Sequence, residues 1–83
     1  MSAVRADGPS PNKPKGTAPE LVREGNKLLL GDQPDQAIEF YDQAEQLAPT
    51  AGEIAFGKGL SYYKMGDFDR ARDAFQEAAA AGN

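Results

Sequence analysis

Past an opening stretch of polar residues, apolar side chains recur three, four and seven positions apart, the spacing that lines one side of an α-helix. Leu21, Gly25 and Leu28 make one stripe and Val22, Asn26 and Leu29 a neighbouring one, so the first predicted helix has a broad apolar side. Thr17 followed by Glu20 fits a capping box at its start, and Pro19 suits the first turn, where a missing N–H costs nothing. Gly31 and Asp32 end it. Pro34 sits where the first turn of a second helix tolerates it, with Ala37, Tyr41, Ala44 and Leu47 or Ala48 facing inward, and Pro49 stops that helix.

The same phrase then returns. Thr50 and Glu53 fit a second capping box, followed by Ala55, Gly59 and Tyr62 on one stripe and Phe56, Leu60 and Tyr63 beside it. Gly66 ends this third helix and Asp67 is placed to cap a fourth, whose Phe68, Ala71, Phe75 and Ala78 face its partner while Arg70, Asp73 and Glu77 point to solvent. The pattern predicts an all-α fold of two stacked antiparallel helix pairs, at about residues 18–31, 34–48, 52–65 and 68–81. Residues 1–16, with Pro9, Pro11 and Pro14 and little to bury, are predicted to be a disordered tail or linker. Their P-x-x-P, Pro11 and Pro14, has nothing around it that specifies a reader. The ordered domain is expected at 17–83, its two units at about 18–51 and 52–83.

Slid along itself until Gly25 lies on Gly59, the chain also lays Asp35 on Asp69, Ala37 on Ala71, Tyr41 on Phe75 and Ala44 on Ala78. Val22 falls on Phe56, Leu28 on Tyr62 and Leu29 on Tyr63. A 34-residue period, with a small residue midway along the first helix and an Ala, aromatic, Ala series in the second, resembles the tetratricopeptide repeat. The resemblance covers residues 18–83, and it implies a short right-handed α-solenoid segment. Its packing set here is Leu21, Gly25, Leu28, Ala37, Tyr41 and Ala44, then Gly59, Tyr62, Ala71, Phe75 and Ala78. The glycines admit a closely crossing helix and the alanines make room for the rings of Tyr41 and Phe75. Departures are Ala55 where the first unit has Leu21, and Asn83 where it has Pro49. The A-A-A-A-G-N ending at Asn83 is also similar to Sel1-like repeats.

Composition narrows the chemistry. The chain has 83 residues, no cysteine and no histidine, so disulfides, thiolate metal sites and the commonest general base are all absent. Net charge is −4, and because Arg5, Lys13 and Lys15 precede Thr17 with only Asp7 against them, the rest of the chain carries −6. Such a surface repels phosphate backbones and argues against nucleic acid as a partner. No apolar run is long enough to span a bilayer and Met1 to Gly8 lacks a signal peptide's apolar stretch, so a soluble protein, cytoplasmic by default, is expected. Gly52 to Gly59 contains G-x-x-x-x-G-K, but Gly59 stands where a phosphate loop needs a hydroxyl, and Ile54, Ala55 and Phe56 belong to a helix. The acidic sets Asp35, Glu39, Asp42 and Asp69, Asp73, Glu77 recur at helical spacing and are expected on solvent faces, not around a metal. No cofactor, metal or catalytic residue is expected, and no enzymatic activity.

The resemblance implies instead a protein-interaction scaffold. Members of the family bind extended peptides or helices on the concave surface made by the first helix of each repeat. Here those positions are Val22, Asn26, Leu29 and Leu30, then Phe56, Leu60, Tyr63 and Lys64. Phe56 and Tyr63 have a competing reading as cover for the junction between repeats. Of the carboxylate clamp used by chaperone-binding relatives only Asn26 matches, because Val22 and Gly57 stand in the places of a Lys and an Asn. The alternative is a self-assembly module or part of a longer array, in which an uncovered face of the last helix around Ala74, Ala78 and Ala81 packs on another copy or on a further repeat.

Overall fold

A computed structural model describes residues 16–82; the tail expected over 1–16, with its P-x-x-P, lies outside the described residues apart from Gly16. Four helices run in chain order: α1 Ala18–Leu30, α2 Pro34–Leu47, α3 Gly52–Met65 and α4 Phe68–Gly82. α1 packs on α2, α3 on α4 and α2 on α3, and α1 also touches α3. The result is two helix hairpins stacked side by side, and no strand occurs among the described residues.

Side chains cap the starts of α1 and α4, whereas α2, with Gln33 as its N-cap, and α3 begin without a side-chain cap. At α1 the Thr17 hydroxyl accepts from the Glu20 N–H at 3.4 Å while the Glu20 carboxylate accepts from the Thr17 N–H at 3.0 Å, the reciprocal capping box. Asp67 accepts from the Arg70 N–H at 3.3 Å at the start of α4. The expected Thr50 box is absent. Ala51 donates to the Ala48 carbonyl at 3.2 Å, a turn that uses up one residue, so Ala51 becomes the N-cap of α3 and no side chain caps it. Each hairpin turn uses a left-handed residue at the same repeat position, Asp32 with φ 64° in the first and Gly66 with φ 84° in the second. Gly31, which follows the last residue of α1, has an ordinary φ of −83°.

The core lies in the first hairpin and at its junction with the second. Leu21, Val22, Ala37, Tyr41, Ala44 and Ile54 form one buried cluster, with Leu28, Leu29, Phe40 and Ala48 packed around it. Tyr41 is its centre, at 0 % exposure. A Cβ on Gly25 would come within 2.8 Å of the Tyr41 ring, so a glycine is required for α1 to cross α2 this closely. Leu47 is exposed and Ala48 takes the inward place. In the second hairpin Gly59 serves Phe75 in the same way, a Cβ there lying 2.5 Å from the ring. Ala71 and Ala74 are buried.

Candidate interaction surface

α3 is the helix that organises the molecule, because it presents two different faces. Ala55, Gly59 and Tyr62 belong to the stripe spaced to face α4. The other face is Ile54, Gly57, Lys58 and Ser61, spaced at i, i+3, i+4 and i+7, and it packs on the first hairpin. Ile54 is in the core cluster. Gly57 lies against Tyr41, where an added Cβ would be 2.5 Å from the ring carbon Cζ. Ser61 is fully buried and donates its hydroxyl hydrogen to the Gly57 carbonyl at 2.9 Å, so it brings no unpaired polar atom into the junction. Lys58 reaches across to Glu45 at 2.9 Å and Asp42 at 3.0 Å. Burial pulls the Lys58 ammonium down, but the hydrogen bonds and charges of Glu45 and Asp42 outweigh it and hold the group above the ordinary lysine range.

This junction face is the part of the molecule that sequence reasoning misses. Only Ile54 of its four residues is hydrophobic, so no apolar periodicity marks it. Gly57 and Lys58 draw notice inside a phosphate-loop pattern that the helix makes irrelevant, and Gly57 again only as a missing clamp asparagine. Their function is a close helix crossing and an ion pair. The available signal is the placement of a glycine and a lysine on one face of α3 opposite the acidic Asp42 and Glu45.

The concave-face positions are dispersed by the packing. Val22 is a correction: at 7 % exposure it belongs to the core, because α3 brings Ile54 into the same cluster and closes over it. Asn26 is exposed but occupied, its Oδ1 accepting the hydrogen bond of the Tyr41 hydroxyl, whose pKa burial raises. Leu29 is partly buried against the core, and Leu30 is 88 % exposed at the end of α1. Leu60 is half-buried, and Lys64 reaches Asp32 at 3.7 Å. Phe56 and Tyr63, 51 % and 60 % exposed, are held from one side only: Phe56 by Phe75, with ring centroids 5.7 Å apart, and Tyr63 by Phe68 at 5.3 Å.

An open apolar groove lies on the second hairpin, floored by Ala71 and Phe75 and edged by Tyr63, Phe68, Arg72 and Ala79, while Phe56 packs on Phe75 without lining it. The face of α4 around Ala74, Ala78 and Ala81, expected to be uncovered, is instead turned to α3. Ala74 is buried, and a Cβ on Gly52 would lie 3.4 Å from both the Ala78 carbonyl oxygen and the Ala81 Cβ. The open side is the one that carries Phe68, Arg72 and Ala79. Among the described residues no group of carboxylates converges to hold a metal, and no helix is long and apolar enough to cross a membrane.

The repeat register, the glycine-to-ring crossings and the stacked hairpins find their counterpart in a family model described as tetratricopeptide repeat, which matches residues 28–83. The chain belongs to the tetratricopeptide repeat family. No curated protein and no solved structure matches it. The Sel1-like likeness of the last residues gains no match of its own. Membership in the tetratricopeptide repeat family makes this chain an interaction or repeat scaffold in general terms.

Proposed function

We propose that the chain is an interaction module whose working surface is the second repeat, where a helical segment of a partner protein docks against Tyr63, Phe68 and Phe75. The observation that carries this is repeat symmetry. Three of the residues lining the groove have counterparts one repeat earlier that lie in or against the core cluster to which α3 contributes Ile54: Leu29 for Tyr63, Ala37 for Ala71 and Tyr41 for Phe75. A face that is sealed by a helix in one repeat and bare in the next has the shape and the apolar character to receive a helix. The reading keeps Tyr63 from the concave set, with Phe56 packed behind Phe75; Leu60 and Lys64 do not line the groove.

The test places a photo-crosslinking side chain at Ala79, inside the groove, and a control at Glu39 on α2. A partner linked from position 79, not from 39, and no longer linked when Phe68→Asp is added, supports the reading provided helical circular dichroism is unchanged by Phe68→Asp. Equal labelling from both positions, or labelling that survives Phe68→Asp, overturns it.

A further inference from the structure

α1 and α3 open their repeats in the same way, and α3 stacks on the hairpin before it through four residues. Ile54 enters the core cluster, Gly57 lies against the Tyr41 ring, Lys58 pairs with Asp42 and Glu45, and Ser61 is fully buried. One repeat earlier the same places hold Glu20, Arg23, Glu24 and Lys27, and all four are exposed. Three of them are engaged along α1 itself: Glu20 accepts from the Thr17 N–H at 3.0 Å in the capping box, and Lys27 pairs with Glu24 at 3.4 Å. The apolar side of α1 lies elsewhere, with Leu21 and Val22 in the core cluster and Gly25 against Tyr41.

We infer that this face of α1 is a closed end of the solenoid. Whatever precedes it in the chain, no repeat of the kind found here stacks on it, and the solenoid can be extended only from the second hairpin. Size decides first. Each repeat carries a ring, Tyr41 or Phe75, at the place that Gly57 of the following first helix crosses, and a Cβ on Gly57 would already come within 2.5 Å of the Tyr41 ring. Arg23 would drive a whole side chain into that crossing.

Charge acts in the same direction. Glu20 would carry a carboxylate to the place where Ile54 joins an apolar cluster, and Lys27 an ammonium to the place where Ser61 has no exposed surface. Glu24, in the place of Lys58, would meet two carboxylates on a unit like the first and only the counterparts Gln76 and Ala79 on a unit like the second. Charges buried without partners oppose such stacking. The same face would have to enter the open groove if copies joined head to tail, so it also keeps copies of the chain apart in that direction. A charged outer face on a terminal unit is what holds a repeat array soluble at its end.

The experiment duplicates residues 18–51 within the full chain, so that 1–51 is followed by 18–83 in unbroken repeat register. The internal α1 then follows a hairpin identical to the one on which α3 packs. Urea unfolding is followed by helical circular dichroism, because stacked repeats unfold together with a slope that grows with the surface exposed, whereas an unstacked one melts apart. In the unaltered duplicate the original hairpins are expected to unfold at the parent's midpoint, with any signal of the inserted unit separate and at lower urea. Glu20→Ile, Arg23→Gly, Glu24→Lys and Lys27→Ser in the internal α1 should merge the two into one steeper transition with a midpoint above that of the unaltered duplicate. In the chain without duplication the same four substitutions should lower the midpoint, since they remove the capping box and put a glycine into α1. That reversal of sign marks a stacking face. Restoring Arg23 alone in the substituted duplicate should part the transitions again. One steep transition from the unaltered duplicate, or from the one with Arg23 restored, overturns the inference, and so does a substituted duplicate whose transitions stay apart.

Discussion

Val22 and Phe56 hold the same position in successive repeats, yet Val22 is sealed in the core while Phe56 stands half in solvent. Tyr41 and Phe75 differ in the same sense, the first fully buried and the second only partly. The two hairpins share their internal packing, glycine against ring, and differ in what lies on their outer side. The first carries α3 there and the second carries nothing among the described residues. A periodic sequence therefore produces a structure that is not periodic in exposure, and the candidate site is where the period is broken. Apolar burial is worth about 25 cal/mol per Å² removed from water, so a covering helix has a large gain still to realise on the second hairpin.

The sharpest way to break this comparison is to delete the two rings. Tyr41→Ala should cost about 3–5 kcal/mol, the range for a buried aromatic, and leave a domain of this size largely unfolded. Phe75→Ala should cost about half as much, since part of its ring surface is exposed already. Urea denaturation followed by helical circular dichroism measures both. Equal costs would mean that the open groove is closed in solution.

Next come the glycines beneath those rings. A Cβ on Gly57 lies 2.5 Å from Tyr41 Cζ and one on Gly59 lies 2.5 Å from Phe75 Cε1, so the clashes are alike. The neighbours are not alike, because Tyr41 is enclosed on all sides and Phe75 can turn toward the groove. Gly57→Ala should lose about 2 kcal/mol by overpacking. Gly59→Ala should lose less than about 1 kcal/mol, the ring's movement and alanine's better helix propensity offsetting the clash. The midpoint of thermal unfolding separates the two variants.

A smaller effect belongs to Lys58. Its ammonium is mostly covered while Asp42 is half exposed, so Lys58→Met should cost about 1 kcal/mol and no more. The pH dependence has a definite sign. Glu45 and Asp42 hold the folded-state pKa above the ordinary 10.5, so the stabilisation is complete below that value and is lost as pH rises past it toward the raised value. Stability measured from pH 9 to 12 should fall more steeply in the parent than in Lys58→Met. Parallel curves would show that the ion pair across the first junction contributes nothing.

Much of this is legible in the chain. The four helices, their turns and the repeat register follow from spacing, caps and prolines, because those features act within a few residues. Tyr41 and Gly25 are readable as a crossing pair for the same reason. What spacing does not encode is which helix face meets the neighbouring hairpin. That face of α3 is built from Ile54, Gly57, Lys58 and Ser61, residues suited in shape and charge to Tyr41, Asp42 and Glu45, so a search for apolar stripes passes over it. Val22 reads as concave surface because its own helix leaves it bare, and it is α3, arriving at Ile54 from the following repeat, that buries it. The face of α4 at Ala74 and Ala78 reads as open for lack of a partner, although Gly52 and the start of α3 supply one.

The smallest predicted difference tests whether the two repeats begin alike. Thr17 and Thr50 both precede a glutamate by three positions, yet only Thr17 makes the reciprocal capping bonds. Thr17→Ala should therefore cost about 1 kcal/mol, because an N–H of the first turn loses its acceptor and Glu20 loses its reason to fold back. Thr50→Ala should cost less than about 0.3 kcal/mol, since that side chain is exposed and bonds to no helix N–H. Converting the true N-cap, Ala51→Ser, should then gain about 0.5–1 kcal/mol by giving α3 the cap it lacks. Urea midpoints for the three variants decide the matter. A loss at Thr50 equal to that at Thr17 would mean that α3 starts one residue earlier in solution, and with it that the turn after Pro49 sets the register of the junction differently from the one on which the Tyr41 and Gly57 crossing depends.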